Sequence, residues 1–179
     1  MTTIEEVMQL DIEAFFRYVE TIRYGYRDQS GRLHFTQDED FTVQDYAFSS
    51  PEDVVQNNCG WCWDVAELTK RYCAEHGIPC RSWFMEYFSD ELHQTHTQVF
   101  LQFNGNWCPA PENSLGLRLG ERGFAALEQS VQCFTDWFTE YLRSVLRDKF
   151  DAKYLLIKEY TRTFARGITD EEYLSQIRQ

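Results

Sequence analysis

The 179-residue sequence predicts an α+β fold in which a cysteine-bearing helix packs on a small antiparallel β-sheet, with further helices at both ends. Helical patterns precede strand patterns, an order typical of α+β rather than doubly wound folds. Asn104-Gly105 is the strongest short hairpin signal, and a hairpin requires antiparallel strands. Because no internal repeat or Pro/Gly/Ser-rich linker divides the chain, we expect one domain over 1–179, with its core at about 50–160.

The first third of the chain predicts a helix, a hairpin or loop, and the start of a second helix. Apolar residues recur at helical spacing over 4–22. Residues 25–35 favour a hairpin or a loop that turns at Ser30-Gly31, and an acidic loop follows at 37–40. Ser49-Ser50-Pro51 indicates a helix start, because serine caps a helix and proline suits its first turn.

The best-marked helix follows Cys62 and ends at Gly77, a typical C-cap. Asn104-Gly105 folds the strand before it back along a strand that begins at Asn106. Thr169 opens a capping box before a short terminal helix. The other predicted elements are strands at 81–88, 96–103 and 152–160 and a long amphipathic helix at 124–146.

Charge and composition exclude several classes of partner. The formal net charge is −12, and no basic cluster offsets it, so nucleic acid and anionic membranes are poor partners. No apolar run approaches the roughly 20 residues that span a bilayer. The acidic N-terminus does not resemble a secretory signal, which predicts a cytoplasmic protein whose six cysteines are reduced thiols.

The segment Cys59-Gly60-Trp61-Cys62-Trp63-Asp64 carries the most chemical information. A thiol at a helix start is primed for chemistry, because the helix N-terminus favours the thiolate. Three chemistries suit such a segment: a nucleophilic cysteine, a dithiol redox pair, or half of a zinc site.

A zinc site would use the pattern formed by Cys59, Cys62, Cys73 and His76. If one helix spans this region, Cys62 and Cys73 lie 11 rises of about 1.5 Å apart, roughly 16 Å. Zinc ligands must all lie about 2 Å from one ion, so we expect no metal.

The redox alternative rests on Cys59 and Cys62, since Cys-Gly-Trp-Cys resembles the active-site motif of thioredoxin-like oxidoreductases. That fold needs a buried strand immediately before the motif. Here residues 53–58 are short and end in polar side chains, so the resemblance stops at four residues.

A nucleophilic cysteine needs an imidazole to move its proton and a third group to orient that imidazole. His96 starts a predicted strand and is preferred to His93 as this imidazole. The hairpin at Asn104-Gly105 folds the chain back, so that Glu112 or Asn113 can approach His96.

The stretch from Gly60 to about Ser114 resembles a transglutaminase-like domain, whose core is that of papain-like thiol enzymes. The Gly-x-Cys-Trp box of the family matches 60–63, and its Gly-Ile-Pro-x-Arg helix end matches 77–81. Its strand-initial histidine matches His96, and its Gly-x-Trp matches 105–107. The resemblance implies that Cys62 is the nucleophile and His96 the general acid and base.

The third catalytic residue departs from the family pattern. The family usually places an aspartate three positions after the tryptophan, where this chain has Ala110. Glu112 is the nearest carboxylate, and Asn113 is an alternative because papain-like enzymes use an asparagine. Gln56 precedes Cys62 by six residues, the offset of the oxyanion-hole glutamine in papain-like peptidases, but the backbone N–H of Cys62 at the helix start is the preferred oxyanion donor.

The expected function is therefore acyl transfer on an amide bond through a Cys62 thioester. The substrate would be a peptide, a protein or a small amide, with Trp61, Trp63 and Trp107 as candidate lining of its cleft, and no cofactor is implied. Water as acceptor gives hydrolysis or deamidation, whereas a lysine amine gives cross-linking. Two alternatives stay open: a non-catalytic transglutaminase-like binding module and a dithiol–disulfide oxidoreductase.

Overall fold

The computed structural model describes residues 2–38 and 45–179 and has an α+β fold. The predicted acidic loop spans 37–40, and its residues 39 and 40 lie outside the described ranges. The helices are α1 (Ile4–Met8), α2 (Ile12–Val19), α3 (Pro51–Asn57), α4 (Cys62–Glu75), α5 (Leu127–Leu146) and α6 (Asp170–Arg178). The strands are β1 (Arg23–Arg27), β2 (Leu33–Phe35), β3 (Cys59–Gly60), β4 (Cys80–Phe88), β5 (His93–Phe103), β6 (Asn106–Pro109) and β7 (Leu155–Tyr160).

The larger sheet has the strand order β6-β5-β4-β7, and all of its pairs are antiparallel. The predicted hairpin between β5 and β6 is confirmed, with Phe103 opposite Asn106. Asn104 and Gly105 have φ values of 50° and 80°. Both residues are therefore left-handed, as the two-residue turn that matches strand twist requires.

The two faces of this sheet pack against different helices. Residues paired directly across strands share a face, and successive residues alternate between faces. Thr97 pairs with Phe84, which belongs to a buried cluster that contains Cys62 of α4. His96 pairs with Met85, which belongs to a separate buried cluster with Phe134 of α5. The side of the sheet on which a β5 residue points therefore decides which helix it meets.

The smaller sheet has the order β2-β1-β3. Residues 25–35, for which the sequence left a hairpin or a loop open, form a hairpin, since β1 and β2 pair antiparallel. β1 also pairs in parallel with β3, which places Tyr24 opposite Gly60. This pairing brings a residue from early in the chain to the segment immediately before Cys62.

Asp64 holds the start of α4 in place. Its carboxylate accepts hydrogen bonds from the backbone N–H of Trp61 at 2.9 Å, the backbone N–H of Ser49 at 2.8 Å and the Tyr46 hydroxyl at 2.7 Å. The helix ends as predicted near Gly77, whose φ is +64°. Its first residue is Cys62, so the thiol lies at the helix start.

Several predicted boundaries were wrong. The predicted helix over 4–22 is two helices, because the Asp11 side chain accepts from the Ala14 N–H and starts α2 afresh. Helix α5 begins at Leu127 rather than 124, and a 3-10 turn occupies 152–154 before β7. The predicted capping box at Thr169 is confirmed and starts α6. Within the described ranges, no helix combines the length and apolarity needed to cross a membrane.

Candidate functional site

Cys62 is 3% exposed and lies at the start of α4 against β5. The backbone N–H of Thr97 and the Tyr24 hydroxyl both act to lower the pKa of its thiol. Burial, followed by the nearby charge of Glu112, raises the pKa of the Cys62 thiol well above its ordinary value. The favourable helix N-terminus does not overcome this desolvation, because a buried thiolate has lost its hydration.

Glu112 lies beside Cys62 rather than behind a histidine. The Ser114 hydroxyl donates to Glu112 Oε1, and Oε2 is buried with no hydrogen-bond partner among the described residues. A carboxylate next to a thiol disfavours the thiolate, which is the opposite of what a nucleophile needs. Asn113 donates from Nδ2 to the Gly60 carbonyl at 2.9 Å, so it fixes the strand before Cys62.

The structure does not bring His96 to Cys62, contrary to the prediction. His96 points to the α5 face of the sheet, where its ring stacks on Phe134 with centroids 5.5 Å apart. Its Nε2 lies 3.4 Å from Gln98 Oε1. The thickness of the sheet separates His96 from Cys62, because adjacent strand residues point to opposite faces.

The other three histidines have partners elsewhere. His93 Nε2 lies 2.8 Å from Glu86 Oε1, and Glu86 also accepts from the Arg178 guanidinium. His34 pairs with Asp28 and His76 with the Met8 carbonyl, each at 2.8 Å. In the described part of the chain, no imidazole hydrogen-bonds to the Cys62 thiol.

Of three other predicted site residues, one is exposed, one packs on the α5 face of the sheet and one is buried. Gln56 is exposed on α3, whereas the Cys62 thiol is buried. Trp107 packs with the residues of the α5 face and bridges to Phe124. Cys59 is 3% exposed in β3, and burial raises the pKa of its thiol to about 12.

The zinc-like pattern is not assembled into a site. Cys73 contacts Cys80 beyond the end of α4, and His76 binds the Met8 carbonyl. Across residues 2–38 and 45–179, no cluster of three or more metal-ligating side chains could hold an ion.

An aromatic cleft of about 420 Å³ lies next to Cys62. Four aromatic residues form its walls: Trp61 and Trp63, which flank Cys62 in sequence, and Tyr24 and Tyr46. Trp61 meets the rings of Tyr24 and Tyr46 edge to face, each with centroids 6.1 Å apart. The remaining lining residues are His93, Gln94, Thr95, Asp170 and Leu174.

Sequence reasoning missed Tyr24, Tyr46 and Asp170 as members of this cleft. Tyr24 arrives through the parallel pairing of β1 with β3, for which the sequence carries no local signal. Asp170 arrives because Tyr173 of α6 stacks on Trp63 with centroids 4.0 Å apart. The capping box at Thr169 predicts that a helix starts there, but not where that helix docks.

Asp64 is a further buried acid that the sequence reasoning did not single out. Burial raises its pKa to about 7, although hydrogen bonds from Ser49, Trp61 and Tyr46 act in the opposite direction. Its position three residues after Trp61 is a recognisable capping signal, since N3 acids commonly bond back to the N-cap N–H.

No family model matches this sequence, and no curated protein matches it either.

Proposed function

We propose that this protein is a non-catalytic, transglutaminase-like binding module that receives its ligand in the aromatic cleft. The observation that carries the proposal is the environment of Cys62: a buried thiol beside the Glu112 carboxylate, with His96 on the other face of the sheet. An active cysteine enzyme needs the reverse arrangement, a thiol beside an imidazole that accepts its proton.

The cleft supports the binding role. It is concave, walled by aromatic rings and edged by polar groups, which are the usual features of a small-ligand site. Trp61 and Trp63 hold Cys62 between them along the chain, so the residues that resemble a catalytic box serve here as the wall of the cleft.

The test is the rate at which iodoacetamide labels each cysteine, resolved by peptide mass spectrometry. Cys133, half-buried on α5, is the internal control. We expect the native protein at pH 7 to label at Cys62 at least tenfold more slowly than at Cys133. In urea the two rates should become similar. Labelling of native Cys62 at pH 6 that is faster than in the unfolded chain would overturn the proposal.

A second candidate, acyl transfer through a Cys62 thioester, is favoured by one observation. The Thr97 N–H and the Tyr24 hydroxyl both lower the pKa of the thiol whose thiolate would attack an amide. His96 would have to reach the same face, and a one-residue shift in β5 register does this. The same labelling experiment separates the candidates, since a catalytic pair predicts fast labelling of Cys62 that slows in a His96→Phe variant.

The dithiol alternative receives no such support. A disulfide oxidoreductase needs an accessible thiol of low pKa. Cys59 and Cys62 are both buried, and burial raises the pKa of each thiol.

A further inference from the structure

We infer that the aromatic cleft binds an organic cation, with a methylated ammonium group against the rings of Trp61, Tyr24 and Tyr46 and the Asp170 carboxylate as its counter-charge. This inference rests on the proposed function, because it names the ligand of the same cleft. Three features support it: the aromatic rings of the cleft, the Asp170 carboxylate at its rim, and the net charge of the chain.

The rings form adjoining walls rather than a flat stack. The Tyr24 and Tyr46 rings stand at 85° and 72° to the Trp61 ring, and Tyr46 stands at 88° to Trp63. Perpendicular walls surround a ligand from several directions. The negative face of an aromatic ring attracts cations, most strongly for tryptophan.

Asp170 supplies the charge that a cation needs. It is half-buried at the first position of α6, and its carboxylate forms no hydrogen bond or ion pair within the described residues. The imidazole at the rim, His93, is held by Glu86, which also binds Arg178. Asp170 is therefore available to face a cation in the cleft.

The charge of the whole chain acts in the same direction. A formal net charge of −12 attracts cations from a distance and repels anionic ligands. A phosphate or carboxylate ligand would also meet Asp170 directly. A neutral ligand would gain apolar contact from the rings but no charge attraction from the carboxylate.

The cleft favours a methylated ammonium over a primary one. A primary ammonium brings three N–H donors, each of which needs an acceptor when it leaves water. Four of the nine lining residues present tyrosine or tryptophan rings, and the Thr95 carbonyl already accepts from the Gln94 side chain. A methylated ammonium has few or no N–H donors to satisfy and keeps its charge. A volume of about 420 Å³ holds such a head group with room for the chain attached to it.

The experiment measures binding to the full chain by calorimetry and tryptophan fluorescence. The probes are choline and 3,3-dimethyl-1-butanol, the neutral carbon analogue of choline. We expect choline to bind at least tenfold more tightly than the alcohol. A peptide containing trimethyllysine and its unmethylated counterpart distinguish a protein-borne cation from a free one.

Variants locate the site. Asp170→Asn removes the charge but keeps the shape, and we expect it to weaken choline binding at least fivefold. Trp61→Phe should weaken it as well. Trp137→Phe is the matched control, because Trp137 lies on α5 with the α5-face cluster and should leave binding unchanged. Circular dichroism confirms that each variant is folded.

The outcomes separate this inference from the proposed function. If choline and the alcohol bind equally tightly and Trp61→Phe weakens both, the inference of a cationic ligand is wrong. The proposed binding module then stands. If neither choline nor the methylated peptide binds, the inference of a cationic ligand is also wrong. The proposed function itself fails only if native Cys62 labels fast, a result that does not depend on any ligand.

Discussion

Asp64→Asn should change how the stability of this protein depends on pH. Asp64 is fully buried, and burial raises its pKa from 3.8 to about 7. Between these values the native state holds a proton that the unfolded chain has released. Stability therefore falls as the pH rises through this window, and the loss is complete above about pH 7.

The magnitude follows from the two pKa values. From pH 5 to pH 8, Asp64 remains protonated in the native state over about two pH units, at about 1.4 kcal/mol per unit. The wild type should lose about 3 kcal/mol through this group, whereas asparagine does not titrate. Asparagine also places an N–H₂ against one of the present donors, such as the Trp61 N–H, which costs about 1–3 kcal/mol at every pH.

The assay is urea denaturation, followed by far-UV circular dichroism, of the wild type and Asp64→Asn between pH 5 and pH 8. The difference in unfolding free energy between the two proteins should move by about 3 kcal/mol in favour of the variant as the pH rises. Asp148→Asn is the control, since Asp148 is exposed and its curve should parallel the wild type. Parallel curves for the wild type and Asp64→Asn would contradict this prediction, because they would mean that Asp64 titrates alike in the folded and unfolded states.

Three further predictions concern the sheet and its neighbours. Tyr173→Phe removes the 3.0 Å hydrogen bond between its hydroxyl and Thr97 but keeps the stack on Trp63, so denaturant titration should show a loss of about 1 kcal/mol. Gly105→Ala should cost about 1 kcal/mol in the same titration, because φ is +80° at this turn, whereas Gln102→Ala on the exposed side of β5 should cost almost nothing. His96→Phe should leave the rate of Cys62 alkylation within about twofold of wild type, because the ring lies on the α5 face. A clear slowing would place His96 beside the thiol and favour the catalytic alternative.

The elements that were predicted well are those set by short-range chemistry. Asn104-Gly105 predicts its hairpin because few other residues adopt two successive left-handed conformations. Ser50 and Thr169 predict their helices because a side-chain oxygen accepts an N–H three residues later. Each signal lies within a few residues of the structure that it specifies.

The elements predicted poorly depend on contacts between distant parts of the chain. The periodicity over 4–22 is helical throughout, but Asp11 interrupts it by capping a second helix. The expected approach of Glu112 to His96 followed from pairing β5 with β6. That pairing is confirmed, yet pairing alone does not settle which of two adjacent residues faces α4.

Local sequence signals specify the α+β class, the β5–β6 hairpin and the position of Cys62 at a helix start, because each depends on local backbone preference and hydrophobic period. The surroundings of that thiol, in contrast, are set by tertiary contacts. β1 pairs with β3 and delivers Tyr24, the register of β5 turns His96 toward α5, and the docking of α6 brings Asp170 to the cleft. These placements come from packing between elements far apart in the chain, which no local pattern encodes.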